Sequence, residues 1–289
     1  MKYDCLAHME APSAPLVPTP SLACDSHNHV IAGQDVQTYV TNRSYTPPAA
    51  LLTDYKKMHV KLGIERAVIV QPSVYGTDNT VTLQSIAEYG SGCRGIAVVE
   101  PDVSDAELLS LQTGGIRGLR YNMIFSGGAG LDGIDVMAAR CADFGLHIQL
   151  LINADMLIEL EDKLRILPVP IVVDHMGLVQ TADGIDQPGF QALLRLVEAG
   201  NCWVKLSGNY RMSSDRPNFD DVIPFARKLF EAAPEHMVWG TDWPHPAMTD
   251  FMPDDGHLLD ALYSYVDTSS DIEKILVSNP AKLYGFDGS

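Results

Sequence analysis

Two histidines stand two residues apart in Asp25-Ser26-His27-Asn28-His29-Val30, where a short apolar run stops. On an extended strand the side chains at i and i+2 share a face, so His27 and His29 can bracket one atom or ion. Far downstream, Val173-Asp174-His175 and Gly240-Thr241-Asp242-Trp243-Pro244-His245 place further polar groups at the ends of apolar runs. A carboxylate such as Asp242 can take a proton from water or bind a metal, and imidazoles can polarise a carbonyl or act as ligands. Alternation sends Asp174 and His175 to opposite sides of a strand, and partnership with the His-x-His pair selects His175 for the site. His27, His29, His175 and Asp242 are therefore the candidate catalytic set, and the same four would be the ligands if a metal is bound. His245 is expected either to support that set or to stiffen its loop. The remaining histidines, His8, His59, His147, His236 and His257, are expected to be partly buried polar residues satisfied by backbone.

Residues so distant in sequence meet only on a scaffold that brings many strand ends to one face, as a parallel β-barrel does. Apolar runs rich in β-branched residues alternate with stretches of helical period, which predicts repeated βα units. Eight strands are predicted, near 23–26, 66–71, 95–99, 118–121, 147–152, 171–174, 203–206 and 237–239. Helices are predicted at 48–62, 80–89, 105–112, 134–144, 155–166, 190–199 and 221–232. Ser104 and Asp105 fit a helix start, Gly145 a helix stop, and Asn279-Pro280 an N-cap followed by proline at the first helical position. The expected fold class is α/β, a (β/α)8 barrel.

With 289 residues and 46% hydrophobic content the chain can bury one large core, so 23–289 is expected to be a single catalytic barrel. Residues 1–22 carry Pro12, Pro15, Pro18 and Pro20 and are expected to form an extended arm that leads into it. A net charge of -17 disfavours nucleic acid and anionic membranes as partners, so an anionic substrate would need a local basic pocket. Cys5, Cys24, Cys93, Cys141 and Cys202 are scattered, without a C-x-x-C pair, and are expected to be reduced and mostly buried. No apolar span approaches the roughly 18 residues of a membrane helix and no leader pattern opens the chain, so a cytoplasmic protein is expected, whether monomer or homo-oligomer.

Several longer strings accompany the strand ends: Val70-Gln71-Pro72-Ser73, Gly76-Thr77-Asp78-Asn79, Arg117-Gly118-Leu119-Arg120-Tyr121-Asn122, Lys205-Leu206-Ser207-Gly208-Asn209-Tyr210-Arg211, Trp239-Gly240-Thr241-Asp242-Trp243-Pro244-His245 and Asn279-Pro280-Ala281-Lys282-Leu283-Tyr284. In this order, from residue 23 to 286, the chain resembles the amidohydrolase superfamily, and within it the 2-pyrone-4,6-dicarboxylate lactonase branch. That resemblance implies a hydrolase that opens the ring of a small carboxylated lactone in aromatic-compound catabolism. Asp242 would activate water, His27, His29 and His175 would polarise the carbonyl, and Arg120 and Arg211 would hold substrate carboxylates. Ser73, Asn122 and Tyr45 would add polar contacts to the substrate. The branch implies a reaction without metal, whereas the wider superfamily implies a single divalent ion such as zinc on the same four residues.

The chain departs from that branch twice. Met123-Ile124-Phe125-Ser126 follows the Arg-x-Asn element where the lactonases carry a second basic residue, and Leu150-Leu151-Ile152-Asn153 replaces a tyrosine near the end of the fifth strand. A lactone with one carboxylate, or with a sulfonate in its place, fits these departures as well. Alternative readings are a zinc-dependent hydrolase of a muconolactone or sulfomuconolactone, a metal-dependent decarboxylase or hydratase, and a sugar-lactone isomerase.

Overall fold

In a computed structural model, described over residues 2–127 and 130–286, eight parallel strands form one nearly closed barrel. They are β2 (Cys24–Asn28), β4 (Arg66–Val70), β5 (Cys93–Ala97), β6 (Ile116–Asn122), β7 (His147–Leu151), β8 (Ile171–Val173), β9 (Cys202–Lys205) and β10 (Met237–Val238), paired in sequence order. The last strand meets the first through Ser26 N donating to Trp239 O (2.9 Å), Asp242 N to His27 O (2.8 Å) and His29 N to Trp243 O (2.7 Å). Strand β2 runs through Asn28, two residues beyond the span predicted from local composition, because after a register shift Asn28 pairs with Ile69 of β4, and it also bridges to Trp243 across the seam.

Helices α1 (Leu52–Leu62), α2 (Thr80–Tyr89), α3 (Asp105–Thr113), α4 (Ile134–Asp143), α5 (Ala154–Arg165), α6 (Pro188–Glu198) and α8 (Ile223–Ala232) cover the barrel's outside, with a short α7 (Asn209–Met212) after β9. Ser104 caps α3 by accepting from Glu107 N, and Gly145 takes a left-handed φ of 63° just after α4, both as their residue types imply. Asn279 corrects the expected N-cap. A π-helical turn, Lys274–Ser278, runs without a break from α10 (Ser269–Glu273) into α11 (Asn279–Tyr284), so Asn279 has helical φ and ψ. Its amide instead donates to Pro234 O and Met237 O, tying the helix to the start of β10.

Residues 2–22 lie along the barrel wall. Strand β1 (Tyr3–Asp4) pairs in parallel with β3 (Tyr45–Thr46), Ser13 bonds to Asp254 through N and Oγ, and Leu22 N donates to Glu65. Asp254 caps α9 (Asp255–Leu262), so the arm passes from the mouth of the barrel down between α9 and α1. Cys24, Cys93, Cys141 and Cys202 are buried thiols and Cys5 is half-buried. Among the described residues no helix is long and apolar enough to cross a membrane.

Candidate active site

Every member of the histidine and aspartate set stands at a strand's carboxyl end. His27 and His29 close β2, His175 follows β8, and Asp242 follows β10. All four are at most 2% exposed. Asp242 Oδ1 lies 3.7 Å from His27 Nε2 and 3.8 Å from His29 Nε2, and Asp242 Oδ2 lies 3.6 Å from His175 Nε2. Two donors already saturate Oδ2: Tyr210 Oη–H at 2.7 Å and Arg211 Nε at 2.7 Å. Burial works against the charged form of Asp242, yet the Arg211 guanidinium beside it holds its carboxyl well below the usual carboxylate range. It is a carboxylate with one oxygen held and the other turned to the histidines.

The imidazoles are kept neutral by burial, which lowers His29 to about 3, His175 to about 4, and His27 well below the ordinary value. Their second nitrogens then fix what each presents. His29 Nδ1 meets Val70 O at 2.7 Å and must donate to it, so His29 Nε2 offers a lone pair. His175 Nδ1 rests on Ser207 Oγ at 2.9 Å. Beneath His27 lies Lys205, fully enclosed, whose ammonium has three acceptors around it: His27 Nδ1 at 3.1 Å, Gln149 Oε1 at 2.8 Å and Asp174 Oδ1 at 3.4 Å. His27 Nδ1 also lies 3.2 Å from Asp174 Oδ1, so two tautomers compete: a Lys205 donor on Nδ1 puts the His27 hydrogen on Nε2, facing Asp242, and a hydrogen on Nδ1 donates to Asp174.

Asp174 corrects the strand-alternation argument. It is wholly buried inside the barrel, where Arg120 Nε and Nη2, Gln149 Nε2 and Lys205 surround it, and His27 Nδ1 is 3.2 Å away. Strand β8 stops at Val173 and the chain turns at once into a helical loop in which His175 has φ 50°, so the period of two no longer applies and both neighbours face inward. Asp25 is a second buried carboxylate outside the expected set. It accepts from Thr241 N (2.9 Å), Thr241 Oγ1 (2.6 Å) and Tyr55 Oη (3.0 Å), which fixes the backbone just before Asp242.

A cavity of about 170 Å³ opens above the set, lined in part by His29, His175, Asp242, Arg120, Arg211 and Tyr45. Arg120 serves as wall and ion-pair partner together, since Nε and Nη2 are engaged by Asp174, while Arg117 caps Gln112 O and Ile116 O at the other end of β6. Tyr45 lines the cavity, and Ser73 sits behind it, donating to Tyr45 Oη at 3.3 Å. Asn122 is also behind the wall, where its Oδ1 accepts from Ile124 N and Phe125 N and sets the turn after β6. The wall from the fifth barrel strand is Leu151 and Asn153. His245 is buried against Tyr210 and Asp255. Among the histidines set aside two differ from expectation: His59 is buried and meets side chains, Tyr89 Oη at 2.9 Å and Asp25 Oδ2 at 3.5 Å, in place of backbone, and His257 is exposed on α9, because the α9 face that packs on the barrel is Leu258, Leu259 and Leu262.

Sequence alone does not single out Gln149, Lys205 and Tyr210, and it sets Asp174 aside in favour of His175. Lys205 carried a usable signal, a lysine closing the apolar run Cys202-Trp203-Val204 on a strand with no solvent face. Tyr210 carried none, since it reads as one more aromatic after the Ser207-Gly208 turn.

His27, His175 and Asp242 present ligand atoms within 4.8 Å of one another, a spacing that fits one divalent cation. His29 Nε2 lies 3.8 Å from Asp242 Oδ1 but is not part of that mutually spaced group, and His27 would act as a ligand only with its hydrogen on Nδ1, toward Asp174.

A parallel barrel with histidines at the first strand's end and an aspartate at the last strand's end is an amidohydrolase arrangement. The amidohydrolase family profile matches residues 24–286, and the chain belongs to that family. Within it the chain falls in the 2-pyrone-4,6-dicarboxylate lactonase-like branch. It is 36% identical to a 2-pyrone-4,6-dicarboxylate hydrolase of Comamonas testosteroni, over 94% of this chain and 93% of that one. It is 37% identical to a 4-sulfomuconolactone hydrolase of Rhizobium radiobacter, over 95% and 94% of the two chains. Among solved structures, an Acinetobacter baumannii protein described as a probable 2-pyrone-4,6-dicarboxylic acid hydrolase, with citric acid bound, superposes with a TM-score of 0.81 at 27% identity, covering 92% of this chain and all of that one.

Proposed function

We propose that this chain is a lactone hydrolase that opens the ring of a small anionic lactone of the 2-pyrone-4,6-dicarboxylate or sulfomuconolactone kind, in aromatic-compound catabolism. The observation that carries the reading is the asymmetry of Asp242, with Oδ2 saturated by Tyr210 and Arg211 and Oδ1 facing the cavity beside neutral imidazoles. Such an oxygen is an ionised base with access to a water.

In this reading Asp242 Oδ1 removes a proton from water as the oxygen attacks the lactone carbonyl. Negative charge collects on the carbonyl oxygen, where the His27 Nε2–H donor and the positive charges of Arg120 and Arg211 stabilise it. The tetrahedral intermediate collapses by breaking the ring C–O bond, and protonated Asp242 returns the proton to the departing oxygen. Water's two hydrogens thus end on the new carboxyl group and the new hydroxyl or enol, and the base is restored. Arg211 and Arg120 also orient the substrate's anionic group, and Tyr45, steadied by Ser73, closes one side.

We propose that these groups act without a resident metal, a reading supported by the Lys205 donor on His27 Nδ1. A divalent cation, if bound by His27, His29, His175 and Asp242, would polarise the carbonyl and acidify the water. The test is Asp242→Asn, which keeps the shape and removes the base. Turnover should fall by at least about a thousandfold while lactone binding stays measurable by calorimetry. A near-normal rate would sink the assignment.

A further inference from the structure

Asp255 is a buried charge that the reaction above leaves unused. It opens α9, is wholly enclosed, and among the described residues its side-chain partner within hydrogen-bonding distance is His245, whose Nε2 is 3.1 Å from Oδ1. A carboxylate removed from water and given a single partner costs stability, so what the pair holds in place matters. His245 Nδ1 lies 3.1 Å from Tyr210 Oη, and Tyr210 Oη lies 2.7 Å from Asp242 Oδ2. Tyr210 has one hydroxyl hydrogen and Asp242 Oδ2 accepts it, so His245 Nδ1 donates into the Tyr210 oxygen, and the contact of His245 Nε2 with Asp255 Oδ1 is then an ion pair in which the ring carries a second hydrogen on Nε2 and the buried carboxylate balances its charge. Backbone ties the same groups together. His245 N donates to Asp242 O at 2.7 Å, in a turn where Asp242 (φ 65°) and His245 (φ 59°) both take the left-handed conformation that residues other than glycine rarely adopt.

We propose that Tyr210, His245 and Asp255 are positioning residues, a buried chain that fixes which oxygen of Asp242 meets the attacking water. This rests on the reading of Asp242 as the general base. With Oδ2 pinned by Tyr210 on one side and Arg211 on the other, the carboxylate is held from turning, and Oδ1, beside His27 and His29, is the oxygen without a donor among the described side chains. Misplacement of a reacting group by about 1 Å costs on the order of a hundredfold in rate, so a tether of this kind acts on turnover rather than on binding.

The test compares Tyr210→Phe, Asp255→Asn, their double variant and Asp242→Asn, on whichever of 2-pyrone-4,6-dicarboxylate and 4-sulfomuconolactone the wild type opens. Tyr210→Phe keeps the ring stacked under Arg211 and removes only the hydroxyl. It should lower kcat by about 10- to 100-fold with KM changed by no more than about twofold. Asp255→Asn should lower kcat several-fold from the far end of the chain, and the double variant should be no slower than Tyr210→Phe alone, because both cut one tether. Wild-type kcat in Tyr210→Phe, a change confined to KM, or additive losses in the double variant would overturn the chain while leaving the base in place if Asp242→Asn is inactive. An active Asp242→Asn would instead remove the base and the proposal with it. Should a thermal melt show that Tyr210→Phe does not fold, the kcat and KM of Asp255→Asn decide alone: a loss in kcat supports the chain, and an unchanged kcat overturns it.

Discussion

Burial and pairing set the protonation of the site in opposite directions, and each direction has a pH consequence. The Asp242 carboxyl is held well below its ordinary 3.8, so the base stays ionised and turnover should persist through pH 5. The stability linked to Asp242 is present above the unfolded value and is lost only as pH falls through the lower, folded one. The buried histidines act at higher pH. With His29 lowered to about 3 and His175 to about 4 from an ordinary 6.5, the unfolded chain binds more protons than the folded one between those values and 6.5. Thermal stability should therefore fall as pH drops from about 6.5 toward 4, while kcat stays level. On the alkaline side burial brings Lys205 down to about 8, although Asp174 beside it opposes the shift, and loss of its proton withdraws the donor from His27. A basic limb in kcat near pH 8 should follow. Paired melting and rate profiles check this account, and turnover that falls together with stability between pH 6.5 and 5 would contradict it.

Strand ends do the positioning, and one glycine shows how little room they leave. A Cβ on Gly240 would stand 2.5 Å from His27 N and 2.7 Å from His27 Cβ, so Gly240→Ala must push the last strand away from the first. It should cost about 1–3 kcal/mol in chemical denaturation and lower kcat as well, because the displaced backbone carries His27. An unchanged rate would mean that the closing seam does not set the geometry. At this scale much was legible in sequence. All eight barrel strands and seven outer helices follow from apolar periodicity, since each strand is buried on both faces and each helix on one. What escaped local reading depended on distant partners. Asn28 joins β2 through Ile69 of β4 after a register shift, Asp174 turns inward because β8 ends one residue before it, and Asn279 continues a π-helical turn in place of capping a helix. The histidines and Asp242 were legible from their type at strand ends, but Lys205 and Tyr210 matter through what they touch, and contact is a property of the folded chain.

Taken whole, the molecule carries a net charge of -17 and lines one cavity with Arg120 and Arg211, an arrangement that draws an anion to a single place on an acidic molecule. We propose that residues 1–22 serve the barrel at 23–289 as a brace for that cavity. Strand β1 pairs with β3, which contains Tyr45, and Ser13 holds the cap of α9, the helix that supplies Asp255. Deleting 1–22 should lower the melting temperature by at least about 4 °C and raise KM more than it lowers kcat. Unchanged KM would show the arm to be dispensable to the site. The claim that governs all of this is that the chain's own side chains open an anionic lactone. It is tested most directly by mixing chelator-treated enzyme, shown by elemental analysis to be free of metal, with 2-pyrone-4,6-dicarboxylate and with 4-sulfomuconolactone, and following the ultraviolet absorbance of each ring. The ring band of at least one of them should disappear rapidly without added metal. Rings that stay intact until zinc is restored would contradict it and assign His27, His29, His175 and Asp242 as ligands.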